Sequence, residues 1–213
     1  MSLVERIRAG VSATHERIER VPFSQALIAG RLGRDDYIEA LSQLYHVHEA
    51  LERELDAHPE LGTVYRPESM ARAGVLRGDL AALGAGGARP RGGPAACLAE
   101  RFAEWSAAAP WSLLGALYIY EGSRMGSMML HKPLARALGV ESALGRGLDY
   151  HLDGLAGRPA AWKRFRADLE ALTLPPEDGD RLVAAAVETM DRTFDLYAAL
   201  PVGRAEPEPA AAP

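Results

Sequence analysis

At 213 residues, 48% of them hydrophobic and 25% charged, the chain has the apolar content to bury a sizeable core and suits one large domain better than two. A net charge of −5 argues against wholesale nucleic-acid binding, although 24 Lys and Arg, nearly all Arg, leave room for a local basic patch. Cys97 is the single cysteine, no run reaches the roughly 18 apolar residues of a membrane span, and "MSLVERIRAG" carries charges without an apolar stretch behind them, so a cytoplasmic protein without membrane attachment is expected.

Helical spacing dominates from the first residues. Ser2-x-x-Glu5 fits a capping box, and Val4, Ile7, Val11 and Ile18 follow on one face together with His15. A short helix is expected near 23–31. A longer one from about Asp35 carries Ile38, Leu41, Leu44, Tyr45, His48, Leu51 and Leu55 on one side. Pro67 suits the first position of a helix ending near Leu83. "GAGGARPRGGP" (84–94) is a flexible connector inside the one domain, because neither flank looks self-sufficient. Helices follow near 95–108 and 111–131, with Pro133 kinking or restarting the chain and Gly139 offering a C-terminal stop. A glycine-rich irregular stretch covers 141–158. Pro159 then opens a helix with Trp162, Phe165 and Leu169 inside, and the last helix spans about 177–199. No alternating strand pattern is found, so the fold class is all-α, with one helical domain over 1–200. The tail 201–213, ending in "EPEPAAAP", is expected to be disordered.

The stretch "YIYEGSRMGSMMLH" (118–131) poses the sharpest question. Gly122 and Gly126 sit one turn apart in an apolar helix, and each costs about 1 kcal/mol relative to alanine. Close helix packing through small residues explains them, and so does a flat, rigid ligand lying against the backbone. Ser123 and Arg124 interrupt the apolar run at the same place, with Ser127 beside Gly126. His15 reads either as a core histidine or as a ligand, a neutral imidazole being the usual way for a helix to hold a haem iron. His46 and His48 point to different helix faces. None of the six histidines has Asp or Glu three residues earlier, which weakens a non-haem di-iron centre. Cys97 reads as a small core residue, and "WKRFR" (162–166) as an exposed helix side that would also suit an acidic ligand.

Taken in order, these segments resemble the haem oxygenase family over roughly residues 3–200. "SATHERIE" (12–19) is similar to the segment carrying the family's proximal histidine. "GRDDYIEALSQLYHVHEALEREL" (33–55) and "VYRPESMARAGVLRGDLAAL" (64–83) resemble the two helices that follow, and "YEGSRMGSMML" resembles the distal helix. "GLDYH" (147–151) and "LEALTLPPE" (169–177) keep the expected order. The resemblance implies haem as both cofactor and substrate, opened to biliverdin with release of iron and carbon monoxide. It also implies O2 and an external reductant delivered by an electron donor such as a ferredoxin or a reductase. His15 would be the axial ligand of the haem iron, and Gly122 and Gly126 would let the distal backbone approach the ring.

Many relatives carry an aspartate where this chain has Ser123 and a further glycine where it has Ser127, while His48 matches a position where some relatives use tyrosine. Ser123 and His48 would jointly organise the distal waters, and Ser127 would crowd the pocket or add a water contact. Arg8, Lys163 and Arg166 match basic positions suited to the haem propionates. Two alternatives stay open at this point. One is a non-catalytic haem store on the same fold. The other is a thiaminase-like enzyme, which needs a nucleophilic cysteine that Cys97 is poorly placed to provide.

Overall fold

A computed structural model describes residues 1–203, so the expectation for "EPEPAAAP" lies outside the described residues. Eleven α-helices are found among the described residues, and no strand. They are α1 (Leu3–Arg20), α2 (Pro22–Ile28), α3 (Arg34–Asp56), α4 (Pro67–Met70), α5 (Ala73–Ala82), α6 (Gly93–Ala108), α7 (Ser112–Gly126), α8 (His131–Leu138), α9 (Asp149–Leu152), α10 (Arg158–Glu170) and α11 (Pro176–Ala199).

The helix starts follow local chemistry. Ser2 caps α1 through the expected box, its hydroxyl accepting from the Glu5 amide while the Glu5 carboxylate accepts from the Ser2 amide. Glu170 reaches over from the end of α10 to accept from both the Ser2 hydroxyl and the Val4 amide. Proline occupies the first turn of α2, α4, α6, α10 and α11. Gly139 ends α8 with φ +65°, the left-handed conformation that favours glycine.

The sequence pattern misplaces three boundaries. The helix expected over Pro67–Leu83 is two, because the Glu52 carboxylate accepts from the amides of Arg72 and Ala73 and starts α5 afresh. The helix expected over 111–131 ends at Gly126, and a 3-10 turn over Ser127–Met129 leads into α8. The stretch expected to be irregular contains α9, whose first amides, Asp149 and Tyr150, donate to the buried carboxylate of Asp79 at 2.7 and 2.8 Å. Burial pushes the Asp79 carboxyl up to about 6. Cys97 is exposed rather than part of the core. Its helix buries Ala95, Leu98, Ala99 and Phe102, and position 97 falls off that stripe.

The long helix α11 is the spine. Both α1 and α7 pack mainly on it rather than on each other, and glycine makes each approach close. A Cβ at Gly10 of α1 would come within 2.7 Å of Val187 Cγ2. One at Gly115 of α7 would overlap the Leu182 carbonyl oxygen and stand 2.9 Å from the Ala186 nitrogen. Thr14 adds a 2.6 Å bond from α1 to Asp191 of α11. With α1 and α7 thus fixed to a common partner, a cleft opens between them, closed on one side by α10.

Candidate functional site

Two adjoining cavities fill that cleft. The larger, about 510 Å³, lies among α1, α7, α10 and α11; the smaller, about 230 Å³, extends toward α2, α3 and α9. They share His15, Gly122, Ser123, Tyr150 and Tyr197 as lining, together with the apolar side chains of Ile18 and Leu44. A site of this size, mostly apolar with a few polar groups, is what a rigid organic ligand requires.

The glycines of α7 divide by function. Gly115 is the packing glycine, already filled in by the α11 backbone. At Gly126 a Cβ would meet nothing within 4 Å, and at Gly122 only the edge of Trp162, 3.4 Å away. Both line the cleft. Their bare backbone is therefore a wall of the cavity rather than a helix–helix contact.

His15 lies on the other side of the same cleft. Its side chain is 61% exposed, not buried like Val4, Ile7 and Val11 on the same helix, because no part of the protein covers it there. The Glu19 carboxylate, one turn on, stands 3.5 Å from His15 Nδ1. A carboxylate on one ring nitrogen fixes the tautomer and leaves the other for a metal.

Behind the cavity runs a polar layer that only the fold reveals. Tyr150, brought in by α9, lines both cavities and meets His48 Nε2 at 3.2 Å through its hydroxyl. His48 is itself buried and lines neither cavity; it touches the ring of Tyr120 and stands 3.8 Å by Nδ1 from Glu52. Burial lowers His48 to about 3, helped by the charges of Arg72 and Arg124, so its imidazole is neutral at ordinary pH. Burial likewise raises the Tyr150 and Tyr120 phenols, and Tyr197 to about 12. His48 and Ser123 share no hydrogen bond, so Tyr150 is the group through which His48 reaches the site.

The two serines are held by their own helix. Ser123 Oγ donates to the Tyr120 carbonyl at 2.8 Å and Ser127 Oγ to the Arg124 carbonyl at 3.0 Å. Ser127 lines only the smaller cavity. Arg124 does not face solvent; it is buried in an ion pair with Glu121, both bonds 3.0 Å long. Arg158, also buried, clamps this end of α7. Its guanidinium donates to the Arg124 carbonyl, the Ser127 hydroxyl and the carbonyls of Tyr150 and Asp153, and burial brings it down to about 10.

Of the three candidate cations, Arg8 lines the larger cavity. Arg166 sits beside Trp162, 5.4 Å from its ring centroid, and with Arg8 acts on the Tyr118 phenol at the cavity wall. Lys163 is exposed and lines neither cavity, because it is one residue, and so about 100° of helix, past the cavity-facing Trp162. Cys97 also lines neither cavity, which removes the nucleophile a thiaminase-like enzyme would use. Among the described residues no three His, Cys, Asp or Glu side chains gather as a metal site, and no helix is long and apolar enough to cross a membrane.

A family model described as "Heme oxygenase" matches residues 1–200. Heme oxygenase 2 of Oryctolagus cuniculus is 25% identical over 206 residues, which cover 93% of this chain and 66% of that protein, just under two thirds of its length. Heme oxygenase 1 of Nostoc sp. is 24% identical over 202 residues, 92% of this chain and 84% of the relative. The heme oxygenase structure from Leptospira interrogans shares the fold with a TM-score of 0.83 at 23% identity, over 93% of this chain and 99% of that one. Heme oxygenase-1 from the cyanobacterium Synechocystis, solved in complex with heme, gives 0.81 at 22% identity, over 92% and 91%. With a match that runs over nearly every described residue, on a fold held in common, the chain belongs to the haem oxygenase family.

Proposed function

We propose that this protein is a haem-degrading monooxygenase, binding haem in the cleft between α1 and α7 and converting it to biliverdin, iron and carbon monoxide with O2 and external electrons. The observation that carries this reading is the bare backbone of Gly122 and Gly126 in the same cavity as His15. A flat ring fits a wall without side chains, and the exposed imidazole of His15 has a carboxylate 3.5 Å from Nδ1 and Nε2 to spare. The heme bound by the Synechocystis relative on this fold supports the same ligand.

Bound there, haem would supply the iron that activates O2 and the ring that is oxidised. The rest falls to the chain. His15 would hold the haem iron, with the Glu19 carboxylate orienting its ring from Nδ1. Gly122 and Gly126 bring backbone rather than side chains to the distal side, confining by sterics what can stand there. Leu44, Ile119 and Met190 exclude bulk water from the larger cavity. In the tautomer with Nε2 bare, neutral His48 accepts from the Tyr150 hydroxyl and turns the phenol's lone pairs to the cavity. Ser123, its own proton engaged by the Tyr120 carbonyl, offers a second acceptor. Tyr150 and Ser123 together hold proton-bearing water at the distal side without a strong acid. Arg8 and Arg166 are the cations for the haem carboxylates, and Lys163 is assigned no contact. In this reading the protein works in the cytoplasm with an electron donor such as a ferredoxin or a reductase.

The test is turnover of haemin by the purified protein with a reductant and air. Loss of the haem absorption with appearance of biliverdin is the expected result. A bound pigment that survives reduction and air would favour storage over catalysis, and no uptake of haemin would sink the reading.

A further inference from the structure

Ser106 differs from other serines of the helices in where its hydroxyl goes. Ser42, Ser123 and Ser127 donate back to carbonyls of their own helix, at Ile38, Tyr120 and Arg124. Ser106, in the last turn of α6, instead meets His58 Nε2 at 2.8 Å through its hydroxyl. The other ring nitrogen of His58, Nδ1, stands 3.0 Å from Glu60 Oε1.

Local chemistry places all three groups. α3 ends at Asp56, and Pro59 holds the residue before it out of the helical region, with His58 at φ −122° and ψ 83°. The 3-10 turn over Pro59–Thr63 then sets Glu60 beside the ring of the histidine two residues earlier. Packing of α6 on α3 brings Ser106 to the same ring from 48 residues away. None of the three lines either cavity, so the cluster stands apart from the haem reading. The His58 side chain is 19% exposed and that of Glu60 48%, so solvent reaches the cluster.

The Glu60 carboxyl is held below the usual carboxylate range, first by a bond from its own amide and also by His58. An ionised carboxylate only accepts, so the neutral His58 ring carries its proton on Nδ1 and leaves Nε2 bare for the Ser106 proton. A hydroxyl, a base within hydrogen-bond reach and a third group orienting that base are the parts of an activated nucleophile. The surroundings restrict its substrate. The end of α6 presents carbonyls rather than amides, and the nearby amides of Ala109 and Leu61 are bonded to the Trp105 and His58 carbonyls. A missing oxyanion donor costs about 10²–10³ in rate, so an ester must bring a good leaving group, and outside any cavity it must be small.

We propose that Ser106 is an acyl-accepting nucleophile, activated by His58 and positioned through Glu60, that takes the acyl group from small aryl esters. The bond from Ser106 Oγ to the carbonyl carbon forms as the ester C–O bond breaks. His58 Nε2 takes the hydroxyl proton and passes it to the departing phenolate, so the products are O-acyl Ser106 and the free phenol.

The test treats the haem-free whole chain with p-nitrophenyl acetate and follows acetylation by peptide mass spectrometry. Ser106 should be acetylated at least about a hundredfold faster than Ser42, and His58→Gln should slow it about a hundredfold. Glu60→Gln should slow it about tenfold at an unchanged urea midpoint, and Glu60→Asp should restore part of the rate. Nitrogen-15 NMR should show His58 protonated on Nδ1 with Nε2 bare, and mixed tautomers in Glu60→Gln. No acetyl group on Ser106, or an equal rate in His58→Gln, would overturn the proposal and leave a structural tie between α6 and the turn. Should His58→Gln not fold, Glu60→Gln decides, and an unchanged rate of Ser106 acetylation there would overturn it.

Discussion

Gly115 and Gly126 lie about three turns apart on one helix, and a methyl group would have opposite consequences at each. At Gly115 the space is already taken by the backbone of α11, so the missing side chain lets two helices touch. At Gly126 the space is empty and opens on the cleft that His15 also lines. One end of α7 therefore spends its glycine on contact with α11, and the other turns its glycine face to open space in the cleft. The difference teaches that a glycine's meaning lies in what stands opposite, which its own segment of sequence does not contain.

The contrast can be broken at either end. Gly115→Val should cost about 3 kcal/mol or more by forcing α7 from α11, read as a lower urea midpoint with unchanged slope; a loss under about 1 kcal/mol would mean that the contact yields easily. Gly126→Leu should leave stability unchanged or up to about 1 kcal/mol higher, since leucine is the better helix former. It should nevertheless weaken haem uptake at least about tenfold, equivalent to about 1.4 kcal/mol, in a Soret titration.

The layer behind the open end sets a pH dependence. His48 and His151 are held neutral down to about 3 against about 6.5 when unfolded. The native state thus binds fewer protons than the unfolded one, and the stability present above about pH 6.5 is lost as pH falls toward 3, at about 1.4 kcal/mol per pH unit for each. Asp79 acts the other way. Its carboxyl titrates at about 6 rather than its ordinary 3.8, so its share of stability is full below about pH 4 and is lost as pH rises through 6. Asp79→Asn should therefore steepen the acid loss between pH 4 and 6, and His48→Phe should flatten it, both measured by thermal unfolding across pH. The smallest effect is expected on chemistry: His48→Phe, which removes the acceptor for Tyr150, should slow haem turnover several-fold, on the order of 1 kcal/mol. No change in rate or in the biliverdin isomer would remove His48 from the mechanism.

Much of this molecule was legible in its sequence, and what was not has a common cause. The capping box of α1, the apolar stripe of α3 and the stop at Gly139 are local signals, and each stands where the spacing put it. The ordered resemblance, rather than any lone residue, brought His15, Gly122, Gly126 and Ser123 to one cleft. Tyr150 escaped because what positions it is Asp79, 71 residues earlier. The end of α7 was misjudged because Arg158, 34 residues after the Arg124 whose carbonyl it bonds, clamps it. Arg124 looked like a break in an apolar run until Glu121 supplied its buried partner. Cys97 was the exception, since the stripe of Ala95, Leu98 and Phe102 already put it outside.

The central claim is that His15 and the bare end of α7 face one another across a haem site, and a haemin titration of three proteins tests it most directly. The wild type should take up one haem per chain with a sharp Soret band. His15→Ala should bind with a shifted band that added imidazole restores, and Gly126→Leu should bind poorly while keeping its fold. A His15→Ala band identical to that of the wild type, unmoved by imidazole, would contradict the ligation and with it the site.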